Sequence, residues 1–322
     1  MPTIALEEHF WTPELAASPG TGPLARPDGA RLDERLRDLG LDRIADMDAA
    51  GIDVQVLSHV QPAAQGLAGD QGITAARKAN DALAGAIARH PDRLAGFATL
   101  PTSDPKRAAA ELERAARSLG LVGGIVHSTL GTNGAFLDDE RFEPLLAAFE
   151  DLDVPLYLHP ASAPADVSGV LFGGLKPAVA ARLATNAWGW HAEAGLHALR
   201  LVASGAFERH PGLKLIIGHC GEMLPFMLAR VDEMLPPEVT GLPDLPSTYV
   251  KRNVWVTTSG MFSLPPVLCS IAVLGVDRVL FSVDYPFAAN LAGRRLLDAL
   301  PLSSVDQAKV AGGNAARLLR LA

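Results

Sequence analysis

Eight short segments of this chain are built almost wholly of apolar residues, with little of the apolar–polar alternation of a half-exposed strand. They are Thr3 to Glu8, Val54 to Ser58, Leu94 to Leu100, Gly123 to Val126, Pro155 to Leu158, Leu213 to Gly218, Val254 to Thr258 and Val279 to Val283. A strand with two apolar faces must be covered on both, as in a parallel sheet flanked by helices. Between the runs, Leu36 to Ala50, Ile73 to His90, Pro105 to Ser118, Glu140 to Leu152, Leu196 to Arg209, Leu224 to Leu235 and Pro265 to Leu274 carry apolar residues at helical spacing. Strand followed by helix, repeated around eight strands, predicts an α/β fold of the (βα)8 TIM-barrel type. An open doubly wound sheet is the alternative, but its first strand would normally lead into a glycine-rich phosphate turn, and this one does not. A single domain over residues 1–322 is expected, with long loops after strands 1 (10–34) and 5 (160–195) that overhang one face.

In such a barrel all strands open their carboxyl ends onto the same face, so residues far apart in sequence meet there. Glu7 and His9 close the first run, His159 the fifth, His219 the sixth and Asp284 the eighth. A period of two points Glu7 and His9 the same way and Glu8 the other. Each residue has an ordinary structural use: a strand-end histidine is usually hydrogen-bonded, and an aspartate before a turn usually caps a helix. Together, Glu7, His9, His159 and Asp284 compose a mixed nitrogen and oxygen set suited to one divalent ion, whether Zn, Mn or Fe(II). Phe287 and Phe10 are candidate walls for a ring, and Trp188 or Trp190 for a cover. His59 and His127 are expected to hydrogen-bond behind the ligands, and His191 and His197 to lie in solvent.

Charge and composition exclude other classes. The net charge of −8 and the lack of a basic block argue against nucleic acid as a partner. No apolar run approaches the roughly 18 residues of a membrane span. Two cysteines, Cys220 and Cys269, are too few for a disulfide framework and point to a reducing, cytoplasmic setting. Cys220 adjoins His219, but a buried apolar role suits it better than metal ligation.

The segments LEEHF (Leu6 to Phe10), ADMDAAGIDVQVLS (Ala45 to Ser58), HPGLKLIIGHCGE (His210 to Glu222), FSVDYPF (Phe281 to Phe287) and GGNAARLL (Gly312 to Leu319) resemble the amidohydrolase superfamily. More narrowly they resemble its decarboxylase branch, which acts on dihydroxybenzoate-like and related acids. The resemblance implies one divalent metal, Zn or Mn, on Glu7, His9, His159 and Asp284. It also implies catalytic roles for Asp284, His219 and Glu222, and substrate-carboxylate contacts from Arg230 and Arg43. The implied activity is non-oxidative decarboxylation of a hydroxylated aromatic acid, in a homodimer or homotetramer. A lactone or amide hydrolase on the same scaffold is the alternative, with the metal ionising water and Asp284 as base. A noncatalytic binding barrel has no reason to keep every ligand type.

Overall fold

The computed structural model describes residues 2–16, 29–130 and 135–321. Among the described residues nine strands form eight staves of a parallel barrel: β1 (Ile4–Phe10), β2 (Val54–His59), β3 (Leu94–Gly96) continuing as β4 (Ala98–Thr99), β5 (Gly124–His127), β6 (Leu156–His159), β7 (Leu215–Ile217), β8 (Val254–Thr257) and β9 (Val279–Leu280). Every strand pair is parallel. Phe97 interrupts the third stave, and its amide donates to the Leu57 carbonyl. The ring closes where Leu6 N donates to Phe281 O (3.2 Å) and His9 N to Tyr285 O (2.6 Å). An open sheet is thereby excluded.

The period of two decides what each face buries. Leu57, Val126, Leu158, Leu215, Val256 and Val279 turn outward and pack under the helices. Ile4, Leu6, Val56, Phe97, Ile125, Tyr157, Ile216 and Leu280 turn inward and fill the barrel with Ala315, Leu318 and Leu319 of the last helix. That helix plugs the amino-terminal end, so the other end is the one left open for a site.

Two stretches differ from the sequence-based reading. The helix expected over Leu36 to Ala50 is two, Gly29–Arg37 and Leu41–Ala50. Asp38 breaks it, because its carboxylate accepts from the amides of Gly40 (2.8 Å) and Arg43 (2.6 Å), capping the second helix. Residues 160–195 are not a loop but carry the helices Ala165–Phe172 and Pro177–Ala184 and the start of Gly189–Ala203. The first two bury no residue, so no amphipathic face marks them in the sequence. Residues 17–28 of the long segment after β1 lie outside the described residues.

Candidate active site

The first stave aims its side chains through a bulge. Register with β2 runs Ile4↔Val54 and Ala5↔Gln55 but resumes at Glu8↔Leu57, one extra residue on β1. Glu7 takes that slack with φ +60. Strict alternation from inward-facing Ile4 and Leu6 would have turned Glu8 and Phe10 into the barrel. The bulge reverses the phase, and Glu7 and His9 face inward instead. Glu8 accepts from Val283 N and Tyr285 N (both 2.9 Å), tying β1 to the segment after β9. Burial pushes its carboxyl up to about 8.

Glu7 is fully buried, and its two oxygens are treated unequally. Oε2 accepts from Tyr157, Ser259 and, at 3.2 Å, Thr257. Oε1 accepts from no group and points at His159 Nε2 (3.5 Å) and His219 Nε2 (3.8 Å). Burial first, then Asp284, pushes the Glu7 carboxyl up to about 7 against the opposing pull of His219 and His9.

The imidazoles are oriented from behind. His159 Nδ1 lies 2.7 Å from Pro160 O, a carbonyl that can only accept, so Nδ1 holds the proton and Nε2 presents its lone pair. His9 Nδ1 meets Ser58 Oγ at 3.2 Å, its register partner on β2, and His9 Nε2 lies 3.2 Å from Asp284 Oδ1. The ligand atoms of Glu7, His9 and His159 all fall within 4.8 Å of one another, with Asp284 beside them. An unpaired buried carboxylate oxygen, the aimed lone pair of His159, the Nε2 of His9 and a second carboxylate fit a divalent cation chemically.

A second trio, His191, His219 and Glu222, is equally compact but differently wired. Glu222 Oε1 accepts from His219 Nδ1 (2.7 Å) and Oε2 from His191 Nδ1 (2.6 Å). His191 Nε2 faces Asn186 O at 3.1 Å and must donate to it. Both carboxylate oxygens and both His191 nitrogens are thus engaged, and only His219 Nε2 stays available. The trio is a hydrogen-bond relay, not a cation cage. Burial opposes charge on both partners, yet His219 and His191 hold the Glu222 carboxyl down at about 2, and Glu222 and Glu7 hold the His219 imidazolium up to about 10.

Two glycines leave room for these groups. A Cβ on Gly218 would lie 3.0 Å from Glu7 Oε2 and 3.2 Å from Glu222 Oε1. One on Gly260, at φ +64, would lie 3.3 Å from His219 Cδ2 and 3.8 Å from Asp284 Oδ2. Above them opens a cavity of about 620 Å3, with His9, His159, His219 and Asp284 at its base and Arg182, Trp190 and Phe287 among its other lining residues. It is the size of a single-ring ligand with room for water.

Other expected residues fall elsewhere. Arg43 is fully buried and spent on the fold: its guanidinium donates to Asp38 O (2.8 Å), His9 O (2.7 Å), Arg35 O (3.2 Å) and Gln55 Oε1 (3.1 Å) and stacks on Tyr285. It supports the strand that carries His9 and does not line the cavity. Arg230 is exposed and paired with Glu233, away from the cavity of its own chain. Phe10 points outward into the helix-facing core, because the bulge that turns His9 inward turns Phe10 out. Trp188 is 55% exposed, and Trp190 lines the cavity in its place, its indole donating to Ser162 Oγ (3.0 Å). Phe287 does reach the cavity, edge-on to His9 with ring centroids 5.5 Å apart.

His59, His127, His191 and His197 are all buried. His59 donates through Nδ1 to Val60 O (2.8 Å) and accepts at Nε2 from Thr12 N (3.1 Å), so neither nitrogen is free. His127 stands beside its register partner His159, the Nδ1 atoms 3.1 Å apart. His191 and His197 are not in solvent: His197 is bound by Ser128 Oγ (2.9 Å) and Leu137 N (2.8 Å). Cys220 is buried, its thiol pushed up to about 12 by desolvation, and belongs to neither trio. Tyr157, Ser259 and Asn186 were not singled out from sequence. Tyr157 had a readable signal, a hydroxyl two residues before His159 on an otherwise apolar strand.

A closed parallel barrel whose open end gathers two carboxylates and two oriented imidazoles around one point defines a metal-hydrolase type of barrel enzyme. The chain belongs to the amidohydrolase family, which it matches over residues 7–321. It is 38% identical to γ-resorcylate decarboxylase of Rhodococcus jostii over 332 aligned residues, covering 99% of this chain and 98% of that one. Its fold matches crystal structures of 2,6-dihydroxybenzoate decarboxylase with 2,6-dihydroxybenzoate (TM-score 0.90, 36% identity, all of both chains) and of a dihydroxybenzoic acid decarboxylase from Polaromonas with manganese and 2-nitroresorcinol (TM-score 0.89, 36% identity, 99% and 97% of the two chains).

Proposed function

We propose that this protein is a metal-dependent, non-oxidative decarboxylase of a hydroxylated aromatic acid of the dihydroxybenzoate type. The observation that carries the reading is the unsatisfied Glu7 Oε1 facing His9, His159 and Asp284 in a chain 38% identical to a γ-resorcylate decarboxylase. Glu7, His9, His159 and Asp284 would hold one divalent ion, Mn or Zn. When bound, that ion supplies Lewis acidity toward the oxygens of the substrate and fixes its orientation.

The residues of the chain then manage one proton. Direct loss of CO2 would leave an unstabilised aryl anion, so the ring carbon bearing the carboxylate is protonated first. Asp284, partly exposed at the cavity base, is the group placed to deliver that proton. The C–C bond then breaks, its electron pair restores the aromatic ring, and CO2 departs. His219, oriented by Glu222, stands with Asp284 beside Gly260 and can return a proton to the site. Phe287 packs the ring, and a lid from 165–190 excludes water.

The setting is read as cytoplasmic, a reading supported by two free cysteines; among the described residues no helix is long and apolar enough to cross a membrane. The assembly is read as a homodimer or homotetramer, favoured by exposed Phe226, Val170 and Leu171. Incubation of the Mn- and Zn-loaded protein with 2,6- and 2,3-dihydroxybenzoate, beside a lactone panel, tests the function. CO2 release from a dihydroxybenzoate is expected, whereas acid release from lactones without any CO2 would establish a hydrolase.

A further inference from the structure

Three carboxyl groups gather at the cavity base, Glu7 and Asp284 at the centre and Glu222 just behind, with the His219 imidazole between Glu222 and Glu7, and the whole chain carries a net charge of −8. Beyond the metal and His219, which Glu222 already pairs, a cation to hold an entering anion must come from the cavity wall. Neither arginine expected from sequence supplies one from within the chain, since Arg43 is consumed by backbone carbonyls and Arg230 lies outside. Among the lining residues the one arginine or lysine is Arg182. Its guanidinium has no hydrogen-bond or ion-pair partner among the described residues.

Arg182 stands in the last turn of Pro177–Ala184, a helix that buries none of its residues. Such an element is weakly held and gains much from a ligand that bridges it to the body of the protein. The chain just past that turn is held by the contacts of Trp190 with Ser162 Oγ and of His191 with Asn186 O. An unpaired guanidinium on a lightly packed cover, above a base of carboxylates and imidazoles, is suited to recognise a carboxylate by paired hydrogen bonds.

We propose that Arg182 is the residue that makes this pocket select the anionic acid over the neutral phenol it becomes. The inference rests on the decarboxylase reading. Before reaction the acid offers a charge for the guanidinium to hold, drawing the cover down. After CO2 leaves, the phenol offers none, and the same contact no longer retains the product.

The test compares an anion with its neutral counterpart in Arg182→Met and Arg182→Lys. KM for 2,6-dihydroxybenzoate and the inhibition constant of resorcinol are measured kinetically. The dissociation constants of benzoate, unreactive for want of an ortho hydroxyl, and of phenol are measured by calorimetry on the Mn-loaded protein. In R182M the constants for both acids rise about tenfold or more, those for both phenols change less than about twofold, and R182K recovers part of the loss. Equal weakening of acids and phenols, or no change in either, overturns the inference. The two readings fail separately: a wild type that releases no CO2 yet loses benzoate in R182M refutes only the decarboxylase, and one that releases CO2 with its acid-to-phenol ratio intact in R182M refutes only the role of Arg182.

Discussion

Glu7 is unfavourable for the fold in isolation and central to the site. A buried carboxylate oxygen without a partner costs about 1–3 kcal/mol, and Oε1 is one. In Glu7→Gln the amide oxygen can keep the three hydroxyl donors while the NH2 donates to the His159 Nε2 lone pair. The metal-free variant is therefore expected to melt at or above the metal-free wild type, while its metal content by elemental analysis falls to background and CO2 release is lost. Gly218→Ala tests the same space by crowding: its methyl meets both Glu7 and Glu222, so activity should fall at least about tenfold with KM for metal raised. Arg43 makes the opposite case. Arg43→Lys cannot span four acceptors and should cost about 3 kcal/mol or more in a denaturant titration while leaving KM of the folded fraction unchanged. A raised KM at wild-type stability would return Arg43 to the substrate.

At the scale of elements, the staves were legible because two buried faces leave long apolar runs, and their ends marked where Glu7, His9, His159, His219 and Asp284 gather. The direction of side chains was less so. Period-two reasoning about Glu7 and His9 reached the right side of β1 only because a bulge resets the phase, and the same bulge removes Phe10 from the cavity. The helices of 165–184 were invisible because they pack nothing. Their light packing has a consequence: amide exchange over 165–184 should be fast in the free protein and slow when an aromatic acid is bound, with β5 and β6 unaffected. The Gly189–Ala203 helix carries a pH signature in His197. Burial pulls its pKa down to about 3, because Nε2 must stay unprotonated to accept from Leu137 N. The unfolded chain takes up a proton near pH 6.5 and the folded one resists, so stability falls as pH drops from about 6.5 toward 4, at up to about 1.4 kcal/mol per unit. His197→Gln, measured by urea denaturation across that range, should flatten the slope.

For the whole molecule, barrel closure converts scattered residues into one site; sequence assigned the ion to Glu7, His9, His159 and Asp284, but the second compact trio of His191, His219 and Glu222 becomes visible only in the fold. Both contain histidine and glutamate, and only hydrogen-bond wiring separates them: Glu222 and His191 are saturated, Glu7 is not. Removing the ion should lower the melting temperature reversibly, since a ligand bound only by the folded state stabilises it by mass action. The location of the ion is tested most directly by an anomalous difference map from crystals of the Mn-loaded protein. The site described here predicts one peak in inner-sphere contact with Glu7, His9, His159 and Asp284. A peak between His191, His219 and Glu222, with the Glu7 site empty, would contradict it.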